Sequence, residues 1–237
     1  MIIFDKDGTL IDFRATWVPI VRERVATLTR LLARNGELET YLLRSWGIDP
    51  VTGMIDPLGP LVVTQRSAEI TIGTLALYQK GYSWNESSKL VAQAFDQVDA
   101  NIDRMRTLRP ADGIQELLFN LKRRGFSLAL ATSDERRDTE AMLSSLRMEG
   151  IFDKVLCAGE VNSPKPNAES ILAICRQLSI DPKETIFVGD SMADMIMGKN
   201  AGIALTIGVL QSGVTPREEL EKAADIVIDS FGELKSY

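Results

Sequence analysis

Met1-Ile2-Ile3-Phe4-Asp5-Lys6-Asp7-Gly8-Thr9 begins as an apolar run and breaks at Asp5 into a charged, glycine-bearing turn. Apolar residues cut off by turn formers read as a buried strand running into a polar loop. No second strand follows closely. From about Ala15 to Met105 the spacing is helical: Val18, Val21, Val25, Leu28 and Leu31 recur at three- and four-residue steps, and Gly36 is the expected stop. Further helices are expected over 37–45, 67–79 and 86–105. A breaker-rich loop with Asp49-Pro50 and Asp56-Pro57-Leu58-Gly59-Pro60 precedes the helix at 67–79, and the capping-box pattern Ser83-x-x-Glu86 precedes the one at 86–105.

After Arg109-Pro110 the pattern alternates. Helices are expected over 113–124, 135–147, 168–178, 192–201 and 216–223, with strands over 127–132, 154–158, 185–189, 203–207 and 225–228. Alternation of this kind predicts an α/β fold, a Rossmann-like parallel sheet with helices on both faces. A single strand at the start makes no domain alone, so it is expected to insert into that later sheet. The smaller α-helical unit is then an insertion after the first strand, which divides the chain into a core of 1–13 and 108–237 and a helical domain of 14–107.

Composition removes several function classes. With 45% hydrophobic and 25% charged residues in 237, the chain is able to bury a sizeable core. A net charge of -6 lacks the basic face that phosphate-backbone binding requires, so no nucleic acid is expected as partner. No apolar stretch is long enough to span a bilayer, and the amino terminus lacks the basic start and apolar length of a secretory signal. Two cysteines, Cys157 and Cys175, fit reduced residues and a cytoplasmic location. Histidine is absent, which excludes Ser-His-Asp and Cys-His triads and leaves acid-base work to carboxylates, Lys, Tyr or Cys.

Ligands of an open parallel sheet sit at the carboxyl ends of its strands. Four such ends carry Asp5-x-Asp7-Gly8-Thr9, Ala131-Thr132-Ser133, Ser163-Pro164-Lys165-Pro166 and Gly189-Asp190-Ser191-x-x-Asp194. Asp5, Asp7 and Asp190 brought together repel unless a hard divalent cation joins them, and magnesium suits an all-oxygen site. Thr132 offers a hydroxyl donor and Lys165 a positive charge, while Gly8 admits backbone N–H groups close to the same anion. Together these outline a phosphoryl-transfer site for a small phosphorylated metabolite.

In identity, order and placement the four segments resemble the motifs of the haloacid dehalogenase superfamily, over residues 1–13 and about 108–237. The pattern is most similar to phosphoglycolate phosphatase-like members. The resemblance implies a phosphatase in which Asp5 is the nucleophile and Asp7 the general acid and then base. It implies that Gly8, Thr132, Ser133 and Lys165 bind phosphate, and that Asp5, the main-chain carbonyl of Asp7, and Asp190 hold Mg2+. Asp194 would be a supporting carboxylate for Lys165 or a metal-bound water. The helical insertion would be the family's mobile cap, with Arg14, Trp17 and Arg66 as candidates for holding the substrate. Two departures stand out: the strand before Asp5 is short, so the native start is open to lie upstream, and Asp134 adds negative charge beside the phosphate site.

Rival readings are a sugar phosphomutase or phosphonate hydrolase on the same scaffold, and, from another class, a non-catalytic magnesium- and phosphate-binding module. The missing histidine lowers the mutase reading, and a dehalogenase has no need of Asp7 or Asp190. Taken singly, Asp-x-Asp-Gly-Thr is a solvated turn as readily as a site, Thr132 a turn cap, and Trp17 and Trp46 packing residues; order across four segments favours chemistry. Monomer and homodimer are not distinguished by the sequence.

Overall fold

The computed structural model describes residues 1–34, 36–101 and 108–236. In chain order the elements are β1 (Ile2–Phe4), α1 (Phe13–Leu31), α2 (Glu37–Ser45), α3 (Pro60–Val63), α4 (Arg66–Gln79) and α5 (Trp84–Asn101). There follow α6 (Ile114–Arg123), β2 (Leu128–Ala131), α7 (Arg136–Ser145), β3 (Lys154–Leu156), α8 (Glu169–Leu178) and β4 (Ile186–Gly189). The chain closes with α9 (Met192–Ala201), β5 (Leu205–Val209), α10 (Arg217–Leu220) and β6 (Ile226–Ile228). It divides into two compact units, Met1–Arg14 with Leu108–Tyr237, and Ala15–Thr107.

The first unit is a six-stranded parallel sheet of order β3-β2-β1-β4-β5-β6. β1 therefore lies inside the sheet, between β2 and β4, which is why three apolar residues suffice for it. Its side chains alternate between two cores. Phe4, Leu130 and Val188 share a register row and pack with Ile114, Leu117 and Leu118 of α6 and Met142 and Leu143 of α7. Ile3, Ala129 and Phe187 face the other way, onto Ile171 and Ile174 of α8 and Met195 and Met197 of α9. Each fully buried residue of this size contributes about 1.5–3 kcal/mol of hydrophobic stabilisation. The strand order reverses at β1 and β4, so the crevice at their carboxyl ends is where such a sheet places ligands.

Where the chain leaves this unit and returns, it is laced side by side. Ile11 bridges antiparallel to Pro110, Asp12 N–H donates to the Arg109 carbonyl at 2.8 Å, and Ala111 N–H to the Leu10 carbonyl at 2.9 Å.

The second unit is helical. Trp46 is 1% exposed; its Nε1–H donates to the Glu69 carbonyl at 3.1 Å and its ring lies 5.9 Å from that of Phe95. Arg24 is buried beside them, donating to Glu69 Oε2 and Asp99 Oδ1, both at 2.9 Å, with its guanidinium 4.1 Å from the Phe95 ring centre.

Several local expectations shift. Gly36 does not stop α1. The helix ends at Leu31 in a Schellman arrangement, Arg34 N–H to Thr29 carbonyl and Ala33 N–H to Arg30 carbonyl, with Ala33 taking the left-handed turn at φ 50°. Gly36, at φ 63°, instead leads into α2. The breaker-rich loop holds the extra turn α3, started by Pro60 at the position where its missing N–H costs nothing. α5 begins at Trp84, and the Ser83 hydroxyl accepts from Glu86 N–H at 3.3 Å; residues 102–105 of the expected helix lie outside the described residues. The expected helix at 216–223 is only the four residues of α10. Among the described residues no helix is long and apolar enough to cross a membrane.

Candidate active site

β1 ends where its neighbours' ladders continue: Asp5 N–H still donates to the Val188 carbonyl at 2.9 Å, which fixes the Asp5 backbone between two strands. The loop beyond closes on the Lys6 carbonyl, which accepts from the N–H groups of Thr9, Leu10 and Ile11. Gly8 sits at φ 78°, and a Cβ there would lie 2.2 Å from Asp190 Oδ2. That double constraint is the reason for glycine. Gly8's own N–H donates to the Ile11 carbonyl at 2.9 Å, so an amide that Gly8 admits to phosphate would belong to a neighbouring residue.

At the end of β4, Asp190 is 4% exposed, and the Thr9 hydroxyl lies 3.4 Å from its Oδ1. Gly213, in the loop after β5, closes the other side: a Cβ there would lie 2.6 Å from Asp190. Ser191 and Asp194 form a complete capping box on α9. Asp194 Oδ2 accepts from the Ser191 amide at 3.2 Å and hydroxyl at 2.6 Å, which turns its Oδ1 to Lys165.

Lys165 comes from a loop anchored at both shoulders. Glu169 accepts from the amides of Asn162 and Ser163 at 3.1 and 2.9 Å, and Asn200 Nδ2 donates to the Pro166 carbonyl at 3.0 Å. The Lys165 ammonium donates to Asp5 Oδ1 and, at 2.8 Å, to Asp194 Oδ1. At the end of β2, Thr132 N–H joins the ladder to Leu156, and the hydroxyl accepts from Asp134 N–H at 3.1 Å, leaving its own proton to donate. Ser133 is exposed.

Burial pushes the Asp5 carboxyl up to about 7; Lys165 opposes the rise and Asp194 adds to it. Burial likewise raises Asp190 well above the carboxylate range, reinforced by Asp5 and Asp194. Burial works against the charge on Lys165, but Asp194 and Asp5 outweigh it and hold the ammonium above its ordinary value. Three buried acids share one lysine, so the cluster carries more negative charge than its own residues neutralise.

Asp5, Asp190 and Asp194 each offer an oxygen within 4.8 Å of the others, the one such group among the described residues. Hard oxygen donors around an uncompensated charge fit a magnesium ion. Both Asp194 oxygens are already engaged, so Asp5 and Asp190 are the side chains best suited to hold it.

Asp7 stands apart from this trio. Its Oδ2 lies 2.7 Å from Lys6 Nζ, which also reaches Asp134 Oδ2 at 2.9 Å. The sequence reading missed Lys6, whose flanking charges make it look solvated although it is 3% exposed. It also missed Gly213, which carries no motif. Of the three residues proposed to hold substrate, Arg14 is exposed at the start of α1, and the half-buried Trp17 ring lies 6.0 Å from the Arg24 guanidinium. Arg66 donates to Asp96 Oδ1 at 2.7 Å and Asp99 Oδ2 at 2.9 Å, which commits its guanidinium to joining α4 and α5.

A model of the haloacid dehalogenase-like hydrolase family matches residues 1–202. An N-acetylmuramic acid 6-phosphate phosphatase of Pseudomonas aeruginosa is 32% identical over 127 residues, covering 53% of this chain and 56% of the relative. A phosphoglycolate phosphatase of the same organism is 27% identical over 237 residues, covering 99% and 78%. Several curated relatives are matched over only about half their length. Among solved structures, a provisionally assigned β-phosphoglucomutase of Thermotoga maritima superposes with a TM-score of 0.71 at 22% identity, covering 99% and 98%, a likeness of fold alone.

Proposed function

Because the chain belongs to the haloacid dehalogenase-like hydrolase family, we propose that it is a magnesium-dependent phosphatase that hydrolyses a small phosphomonoester through a phosphoryl group carried on Asp5. One observation carries this reading: the Lys165 ammonium lies between Asp5 and Asp194 while Asp190 stands within ligand reach of both. A cluster with that charge balance suits an anion whose negative charge grows at the reacting centre.

An Asp5 oxygen attacks phosphorus as the ester P–O bond breaks, and Asp7 gives its proton to the departing alkoxide. Water then attacks the phosphoryl group, Asp7 takes the water's proton, and the bond to Asp5 breaks to release inorganic phosphate. Lys165 cancels charge on Asp5 and on the transferring group, Asp194 aims Lys165, and the Thr132 hydroxyl donates to a phosphoryl oxygen. Magnesium held by Asp5, Asp190 and the Asp7 carbonyl would supply further charge cancellation. The 14–107 insertion is assigned to selecting the leaving group, as the resemblance implies. The names of the relatives put a short carboxylated phosphomonoester such as phosphoglycolate first in order of trial.

The test is a panel of small phosphomonoesters assayed for phosphate release with magnesium and with chelator, for wild type, Asp5→Asn and Asp7→Asn. Magnesium-dependent release by the wild type, lost by orders of magnitude in both folded variants, is expected. Near-wild-type turnover in Asp5→Asn, or no turnover of any ester by the wild type, would end the reading.

A further inference from the structure

Lys6 lies between the two acids of the first loop, and its burial is unusual for a charged residue in a motif that reads as a turn. Its side chain is 4% exposed, with Nζ 2.7 Å from Asp7 Oδ2 and 2.9 Å from Asp134 Oδ2. Removing an ammonium from water costs several kcal/mol, which is offset only while its partners hold their places. Asp134 is held. Its N–H donates to the Thr132 hydroxyl at 3.1 Å and its carbonyl accepts from Ala158 N–H at 2.9 Å, so it is fixed to the end of β2. The lysine thus ties the Asp7 carboxylate to a neighbouring strand.

This arrangement also changes the meaning of Asp134. Read in sequence, it is surplus negative charge beside a phosphate site; in the fold, Lys6 takes up that charge.

We propose that Lys6 and Asp134 are positioning residues that hold the Asp7 carboxylate in the orientation its proton transfers require. The proposal rests on the phosphatase reading above, and neither residue is assigned a contact with substrate. Small displacements of an acid or base slow proton transfer by up to about a hundredfold, whereas a leaving group that departs as a stable anion needs no proton.

That difference gives the test. Full-length wild type, Lys6→Met and Asp134→Ala are compared on an alkyl phosphomonoester at steady state and on p-nitrophenyl phosphate in a single turnover. Each variant is expected to lower kcat on the alkyl ester by about 10- to 100-fold with KM little changed, while single-turnover release of p-nitrophenol stays near wild type. Asp134 is the more exposed partner, so Asp134→Ala decides the matter alone should Lys6→Met fail to fold. Equal slowing on both substrates, unchanged kcat on the alkyl ester, or a higher kcat/KM in Asp134→Ala would overturn the proposal and leave the phosphatase reading standing. No turnover by the wild type itself would remove both.

Discussion

Asp190→Asn is expected to stabilise the metal-free protein while abolishing its response to magnesium. Asp190 shares a buried site with Asp5 and Asp194 against one ammonium, and both Asp190 and Asp5 are pushed upward by burial. An acid that holds its proton more tightly folded than unfolded stabilises the fold most below its unfolded value and loses that stability as pH rises toward its folded one. For Asp5 the window runs from 3.8 to about 7. At 1.36 kcal/mol for each tenfold, the loss across it without a divalent cation is on the order of 4 kcal/mol. Asparagine at 190 keeps the shape that Gly8 and Gly213 pack against and removes one buried charge, a relief of about 1–2 kcal/mol.

For a chain of this size that relief corresponds to a melting temperature higher by about 2–8 °C. Thermal unfolding would be followed at pH 5 and pH 8, in chelator and in excess magnesium. Wild type should gain more from magnesium at pH 8 than at pH 5, and Asp190→Asn should gain little at either. A variant that melts below wild type in chelator at pH 8, or that magnesium stabilises as much as wild type, would refute the reasoning.

Gly73→Ala tests packing in the helical unit. Alanine ordinarily improves a helix interior by about 1 kcal/mol. Here its Cβ would sit 2.7 Å from Trp46 Cζ2 and 3.0 Å from Val91 Cγ1, and Trp46 is fully buried, so overpacking should win and urea denaturation should show a net loss of about 1–2 kcal/mol; a gain would contradict this. Glu69→Ala leaves buried Arg24 with Asp99 as its remaining acid partner and should cost about 3 kcal/mol in the same assay, with Glu69→Gln recovering part of it; a neutral result would show the pair to be dispensable. Lys165→Met, assayed with magnesium on folded protein, should lower kcat by about 100- to 1000-fold, and a variant with wild-type kcat would remove Lys165 from the chemistry.

Much of this was legible because the sheet announces itself locally. The strands are mostly apolar and are followed by turn formers, so the four strand ends could be found without knowing which strands pair. The sheet order was not legible, since parallel pairing joins residues far apart in sequence, as Ile3 joins Ala129 and Phe187. The same distance hid Lys6. Its solvated look is local, while its burial and its bond to Asp134 follow from β1 lying inside the sheet. Gly36 misled for the opposite reason: glycine is the favoured residue for a left-handed helix end, but Ala33 takes that conformation and closes α1 earlier. Gly8 was read as giving an anion room for close approach; the group packed against it is the Asp190 carboxylate, a neighbour that pairing of β1 with β4 brings in from far along the chain.

The central claim is that phosphorus passes through a covalent bond to Asp5. Acid quenching during turnover with magnesium, followed by peptide mass spectrometry, tests it most directly. The mass of one phosphoryl group should appear on Asp5, on the peptide that also carries Lys6 and Asp7, and should be absent in chelator. Phosphate release at full rate with Asp5 unmodified throughout, or with the label on another residue, would contradict it.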